Sequence, residues 1–519
     1  METPDRRIVL KGTIATAGLS ASARAANPGA QVAQWDVQEI ILHGPTGGNP
    51  FRDVKLSAVF HQGGRELRVN GFYDGEGVYR VRFMPDAPGV WTWRTQSSAP
   101  TLDGKSGRLT CTAAMAGVHG PVGVRNGHHF GYADGTPYFP FGTTCYAWIH
   151  QSEALQRQTL ATLAAGPFNK IRMCVFPKSY EYNHNEPALY PFARDAAGAS
   201  DFTRPDPAFY HHLETRVADL RALGIECDLI LFHPYDRWGY AAMPAEADDH
   251  YLSYVIARLG AYRNIWWSLA NEFDLMKAKT SADFDRLFHI VEAEDPYRHL
   301  RSIHYSKTLY DYAKPWVTHA SLQTADFNKT DDRLKAWQKP IVYDEVQYEG
   351  NLDRRWGNLS GEEMTWRVWR GVISGGYVTH GEDFLAPEDV FNDAGTPTLW
   401  WSHGGALKGT SPQRIGFLRR LVEEIASAPG HPGLEADDVN YYPNAHAFAA
   451  DGASVAGLLY FMDYHQPVWY EFPLPEGTFT AEWIDPWAMT RTPVEGRFSG
   501  KTRLKLSGKP YQAVLFRRA

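Results

Sequence analysis

Apolar and polar residues follow three different rhythms along the chain. Over residues 33–115 they alternate in short runs, as in "VKLSAVFHQGGRELRVNGFYDGEGVYRVRFMPDAPGVWTWRTQSS". Turns are predicted at Gly63-Gly64, Asp74-Gly75 and Pro85 to Gly89. Period-two alternation punctuated by Gly and Pro predicts a small β-sandwich. Residues 428–519 repeat the pattern, with strands expected in "VAGLLYFMDY", "FTAEWIDPW", "TRLKLSG" and "YQAVLFRR". Between them, over 125–425, near-continuous apolar runs alternate with helical stretches such as "FYHHLETRVADLRALG" and "LSYVIARLGAYR". The runs are 138–148, 168–177, 225–236, 264–273, 300–306, 317–324, 340–349 and 375–384. Parallel strands covered on both faces read as such runs. Eight strand-then-helix units predict a (β/α)8 barrel, an α/β fold flanked by two β-sandwich domains. The alternative is a doubly wound open sheet. It would carry a Gly-rich phosphate turn after its first strand, and "FGTTCYAW" has none.

Residues 1–26 stand outside this pattern. Arg6-Arg7 precede a mildly apolar stretch that ends in small residues near Ala25 or Ala26. This is the form of a twin-arginine export signal and implies a periplasmic or secreted protein; a disordered basic tail is the alternative. No run approaches the ~18 apolar residues of a membrane span. The 519 residues carry a net charge of -7, which argues against nucleic acid or an anionic membrane as partner. Cys145, Cys174 and Cys227 lie in apolar runs and, with Cys111, suggest neither a disulfide framework nor zinc. His211 and Glu214 stand three apart, as a metal pair might, but on a predicted crossover helix away from the strand ends. No metal or organic cofactor is expected. The 17 Trp, 27 Tyr and 26 Phe lean toward carbohydrate, because sugar rings stack on aromatic faces.

The informative chemistry is a set of carboxylates at predicted strand ends, the face where such barrels build their sites. Strand four ends in Asn271-Glu272. Strand seven carries Asp344, Glu345 and Glu349, and strand eight carries Glu382 and Asp383. Strands four and seven face each other across the mouth, so a carboxylate from each can flank one sugar. Retaining glycoside hydrolysis needs such a pair about 5–5.5 Å apart, one protonated and one ionised. Glu349 is the rival to Glu345, and a helix cap is the alternative role for Glu272. Strict alternation turns Asp344 away from Glu345.

A barrel with Asn-Glu after strand four and Glu on strand seven resembles the retaining glycoside hydrolases of clan A. The resemblance is closest to the branch of apiosidase-like glycosidase barrels. Its N-terminal β-sandwich is similar to "FYDGEGVYRVRFMPDAPGVWTWRTQS", its first barrel strand to "DGTPYFPFGTTCYAW", and its C-terminal β-domain to "AEWIDPWAMTRTPVEG". The resemblance implies Glu272 as acid/base, Glu345 as nucleophile and Asn271 as a partner of the sugar 2-hydroxyl. It also implies Arg172 as the group orienting the nucleophile and His233 as a substrate contact, and it places His304, Tyr305 and Gln323 at the mouth. Gln323 stands where the clan often has an aromatic residue near the nucleophile. Strand eight ends in "VTHGEDF" rather than in a sugar-stacking Trp, so His380 and Glu382 are expected to line a polar pocket. Trp238 and Tyr240, and Trp400 and Trp401, are either sugar platforms or packing. The loop 180–192 is either a pocket wall or a cover for the barrel edge. These features imply an exported retaining glycosidase of oligo- or polysaccharides, probing chain ends. An inactive carbohydrate-binding protein and a transglycosylase on the same barrel are the alternatives. Which sugar, which linkage and which oligomeric state are not legible here.

Overall fold

The computed structural model describes residues 29–387, 397–426, 433–436, 444–450 and 454–519. The expected export signal lies outside the described residues. Eight parallel strands form the central sheet: β1 (Phe141–Thr144), β2 (Lys170–Cys174), β3 (Glu226–Phe232), β4 (Ile265–Ala270), β5 (Arg301–Ser302), β6 (Ala320–Gln323), β7 (Ile341–Glu345) and β8 (Tyr377–His380). Each falls within one of the eight apolar runs. The sheet runs in the order β5-β4-β3-β2-β1-β8-β7-β6. A parallel bridge between His304 and Ser321 joins its two outer strands, so the sheet closes on itself. The strands are buried along their length because helices cover the outside, as every position of β2, β3, β4 and β7 shows.

The barrel interior is charged rather than wholly aliphatic. Lys170 Nζ lies 2.7 Å from Asp228 and 2.8 Å from Asp344. Arg172 Nε lies 3.5 Å and 3.8 Å from the same two carboxylates. Two cations against two anions cancel, which is what allows four charges to be buried together. Asp344 also accepts from Ser321 Oγ at 2.6 Å and from Thr379 Oγ1 at 2.8 Å. Burial would raise its carboxyl, but Lys170 and Arg172 hold it well below the usual carboxylate range.

The N-terminal sheet has seven strands, among them Leu56–Gln62, Arg65–Tyr73, Val78–Phe83 and Gly89–Ser97. The three predicted turns fall between these strands. Their inward faces bury Phe60, Val81, Phe83 and Trp91 in a core of their own. An ion network fastens this domain to the barrel helices. Arg258 lies 2.7 Å from Asp74 and 2.5 Å from Glu214, which also sits 2.6 Å from Arg82. His211 lies 2.9 Å from Asp74. His211 and Glu214 thus serve the domain interface, not a shared metal. At the other end, the C-terminal strands pack on the helix Gly361–Ile373, where the rings of Trp369 and Phe461 lie 5.5 Å apart. All four cysteines are buried and unpaired. No described helix is long and apolar enough to cross a membrane.

Candidate active site

Glu272 and Glu345 open into one cavity of about 650 Å³ at the C-terminal end of the barrel strands. Each arrives there through a local departure from regular backbone. Glu272 directly follows the β4–Asn271 run and adopts a left-handed conformation, φ 48° and ψ 53°. That conformation costs a non-glycine residue on the order of 1–3 kcal/mol and persists only where surrounding structure enforces it. The neighbouring backbone is pinned to β5: Phe273 N donates to His304 O at 3.0 Å, and Glu272 N points to His304 Nδ1 at 3.4 Å.

Glu345 ends β7 where the register with β6 slips: Leu322 pairs with Tyr343, but Gln323 pairs with Glu345. Asp344 is the extra residue, and such a bulge re-aims the side chains beside it. This corrects the expectation from strict alternation. Asp344 and Glu345 both reach Arg172, at 3.8 Å and 3.9 Å, the first inside the barrel and the second at its mouth.

The two carboxylates have matched supports. Tyr146, just past β1, donates to Glu345; Tyr235, just past β3, donates to Glu272. Arg172 donates to Tyr146 Oη at 3.2 Å and to Asn271 Oδ1 at 3.4 Å, and Asn271 Nδ2 donates to Glu272 at 3.3 Å. Burial, then the negative charge of Glu272, push the Glu345 carboxyl up to about 7, against the pull of Arg172, Tyr146 and Lys178. Two carboxyl groups in one cavity titrate as a unit.

A family model described as "Apiosidase-like, catalytic domain" matches residues 124–426. The chain belongs to this family. Models of two domains of unknown function, DUF5060 and DUF5605, match residues 31–98 and 449–517. A crystal structure described as that of "a putative glycoside hydrolase" from Bacteroides vulgatus shares 40% identity over 94% of this chain and 100% of that one, with a TM-score of 0.87. A family 5 glycoside hydrolase from the same species shares the fold at 14% identity and a TM-score of 0.59, over 77% of this chain and 94% of that one. A search of curated proteins finds no match. The apiosidase-like chain is a glycoside hydrolase.

The apiosidase-like barrel sorts the remaining expected residues into two groups. Asn271 and Gln323 line the cavity with Glu272 and Glu345. Arg172 and His304 lie directly beneath, fully buried; His304 Nε2 is 4.0 Å from Glu345. Burial and then Arg172 hold the His304 imidazole well below its ordinary range, so it is neutral. The others lie off the cavity wall. His233 faces Phe176 O at 3.2 Å, and Tyr305 packs in the core. Trp238 donates to Glu186 Oε1 at 2.8 Å, which ties two surface loops together. Tyr240 is buried on the Phe176 ring. His380 stacks on Phe168 and sits 3.3 Å from Thr143. Glu382 accepts from the backbone of Lys408 and from Gly409 N at 2.9 Å, so its carboxylate orders the 404–411 loop. Glu349, the rival to Glu345, accepts from Thr410 N at 2.7 Å and Ser411 N at 3.2 Å, and caps the helix Ser411–Ala426. At the tip of strand eight, Glu382 is thus spent on this loop rather than on the cavity wall.

The places it vacates are filled by aromatic residues that sequence reasoning passed over or left open. The loop 180–192 is a wall: Tyr180, Glu181 and Tyr182 line the cavity. Trp401 lines it too, whereas Trp400 donates to Thr143 beneath. Tyr146 supplies the phenol to Glu345 that was sought on strand six. Its signal was visible in "CYAW", a hydroxyl at the C-terminal tip of an apolar run. Tyr235 had the same signal in "HPYD". A second cleft of about 620 Å³ lies between the N-terminal sheet and the helix Ala245–Leu259 and is lined by none of the expected site residues.

Proposed function

We propose that the protein is an exported, retaining, exo-acting glycoside hydrolase with Glu345 as nucleophile and Glu272 as acid/base. The observation that carries this reading is that Glu272 and Glu345 open into one cavity at the strand ends, each with a phenol donating to it. Double displacement requires the singly protonated pair. Arg172, 3.9 Å from Glu345, is the cation on the nucleophile's side and favours its ionised form. Glu345 attacks the anomeric carbon and forms a glycosyl ester while the Glu272 carboxyl gives its proton to the departing oxygen. The Glu272 carboxylate then takes a proton from water as that water attacks the same carbon, and Glu345 is released. Asn271, already held by Arg172, is placed to meet the sugar 2-hydroxyl. The wall of Tyr180, Tyr182, Trp356 and Trp401 favours a pocket that takes a chain end. The paired arginines at Arg6-Arg7 support export; replacing both with Lys should leave the protein in the cytoplasm on fractionation.

Glu272→Gln should abolish turnover of glycosides with poor leaving groups, and azide should restore cleavage of an activated aryl glycoside with the product trapped as a glycosyl azide of retained configuration. Full activity in that variant on a confirmed substrate would remove Glu272 from the mechanism. An azide product of inverted configuration would remove Glu345 as a covalent nucleophile.

A further inference from the structure

Lys178 follows β2 and is only 2% exposed, yet among the described residues its ammonium has no carboxylate within ion-pair distance. Aromatic rings surround it. Nζ lies 3.9 Å from the ring centre of Tyr146, 4.3 Å from Tyr235, 4.7 Å from Tyr180 and 5.4 Å from Trp401. A buried cation is costly unless compensated, and ring faces supply part of that compensation. Two of these rings are not incidental. Tyr146 is the phenol that donates to Glu345, and Tyr235 the phenol that donates to Glu272. One ammonium therefore sits on the faces of both phenols, and a cation on a phenol face draws electron density from the hydroxyl and strengthens it as a donor.

We propose that Lys178 is a positioning residue that ties the two carboxylates into one electrostatic unit, acting through Tyr146 and Tyr235. This rests on the reading of Glu272 and Glu345 given above. The surroundings leave few other charges to do so. Cys174 on β2 is pushed up to about 12 by burial, and His233 past β3 down to about 3, also by burial; with His304 beside β5 they are neutral near pH 7. Tyr146, Tyr180 and Tyr235 are likewise held in the phenol form, first by burial. Arg172 is the other cation facing the pair, already engaged by Asp228 and Asp344 inside the barrel. Burial lowers Lys178 itself, while Glu272 and Glu345 act to keep its charge.

The test is a carboxyl titration that needs no turnover. Protein labelled with 13C at the glutamate carboxyls is titrated by NMR, and the Glu345 signal is identified by its loss in Glu345→Gln. Lys178→Met, which suits an aromatic cage, should move the upper midpoint of the pair upward by about one pH unit, as loss of a nearby cation does. Lys178→Gln should do the same, and Lys178→Arg, which keeps the charge, should leave the midpoint in place. A midpoint unmoved in both neutral variants overturns the proposal and leaves Lys178 as packing. The hydrolase mechanism fails separately: a protein that shows the shift but cleaves no glycoside would retain the electrostatic unit and lose the reaction.

Discussion

Asp344→Asn tests why four charges are buried in the barrel. The substitution keeps the shape of the side chain and removes its charge. Lys170, 2.8 Å away, and Arg172, 3.8 Å away, then face Asp228 alone inside the barrel. Two cations against one anion leave an uncompensated charge among fully buried groups, and breaking a buried pair in this way costs about 3–5 kcal/mol. That is a large share of the roughly 5–15 kcal/mol of a typical native state. Lys170→Met alone leaves the opposite imbalance, Arg172 against two carboxylates, at a similar cost. If charge balance is the physical reason, the two losses do not add. The double variant keeps Arg172 with Asp228 and should lose no more than either single variant, whereas simple addition predicts about 6–10 kcal/mol. Urea unfolding of the four proteins at pH 7, followed by tryptophan fluorescence, measures the cycle. Additive losses, or a single Asp344→Asn loss below about 1 kcal/mol, would refute the argument.

The site itself offers further tests. Tyr146→Phe removes the hydrogen bond to Glu345 and should raise the titration of Glu345 from about 7 by roughly one to two pH units, since a bond to a charged group contributes about 1.5–3 kcal/mol. The acid limb of kcat/KM, which reports ionisation of the nucleophile, should shift upward with it, and a limb that stays near 7 counts against the assignment. Trp401→Ala should raise KM about tenfold with a smaller change in kcat, if its face receives the sugar; an equal loss in both would place Trp401 in the transition state instead. Asp383 has both carboxylate oxygens buried without a partner among the described residues, and burial, then Glu382, push it up to about 9. Its folded state binds the proton more tightly than the unfolded chain, so stability declines as pH rises from about 4 toward 9. Asp383→Asn should therefore raise Tm more at pH 8 than at pH 5, and a gap that narrows with pH would contradict this.

How much of this was legible depends on the length scale of the signal. The eight runs located all eight barrel strands because parallel strands buried on both faces leave an apolar imprint that local sequence carries intact. The Gly and Pro turns of the N-terminal sheet were equally local. Asn271, Glu272, Gln323 and Glu345 were found because position at a strand end is also a local property. His380 and Glu382 met that criterion and still lie off the cavity, since the 404–411 loop takes up the Glu382 carboxylate and Phe168 and Thr143 take up the His380 ring. Trp238 was drawn off in the same way by Glu186. Conversely, Tyr146 and Lys178 gain their roles from neighbours on other strands, which no spacing along the chain announces.

The amino-acid sequence by itself determined the barrel, its flanking β-domains and the two strands that bring the paired carboxylates. Hydrophobic period and turn chemistry act over a few residues and survive any arrangement of the rest. Only the tertiary structure decided which polar groups reach those carboxylates. It set a bulge at Asp344 that turns Glu345 into the mouth, a left-handed Glu272 held against β5, and a lysine closed within rings from three loops. Each depends on contacts between segments tens to hundreds of residues apart, and a protonation state is a property of that enclosure, not of any one residue.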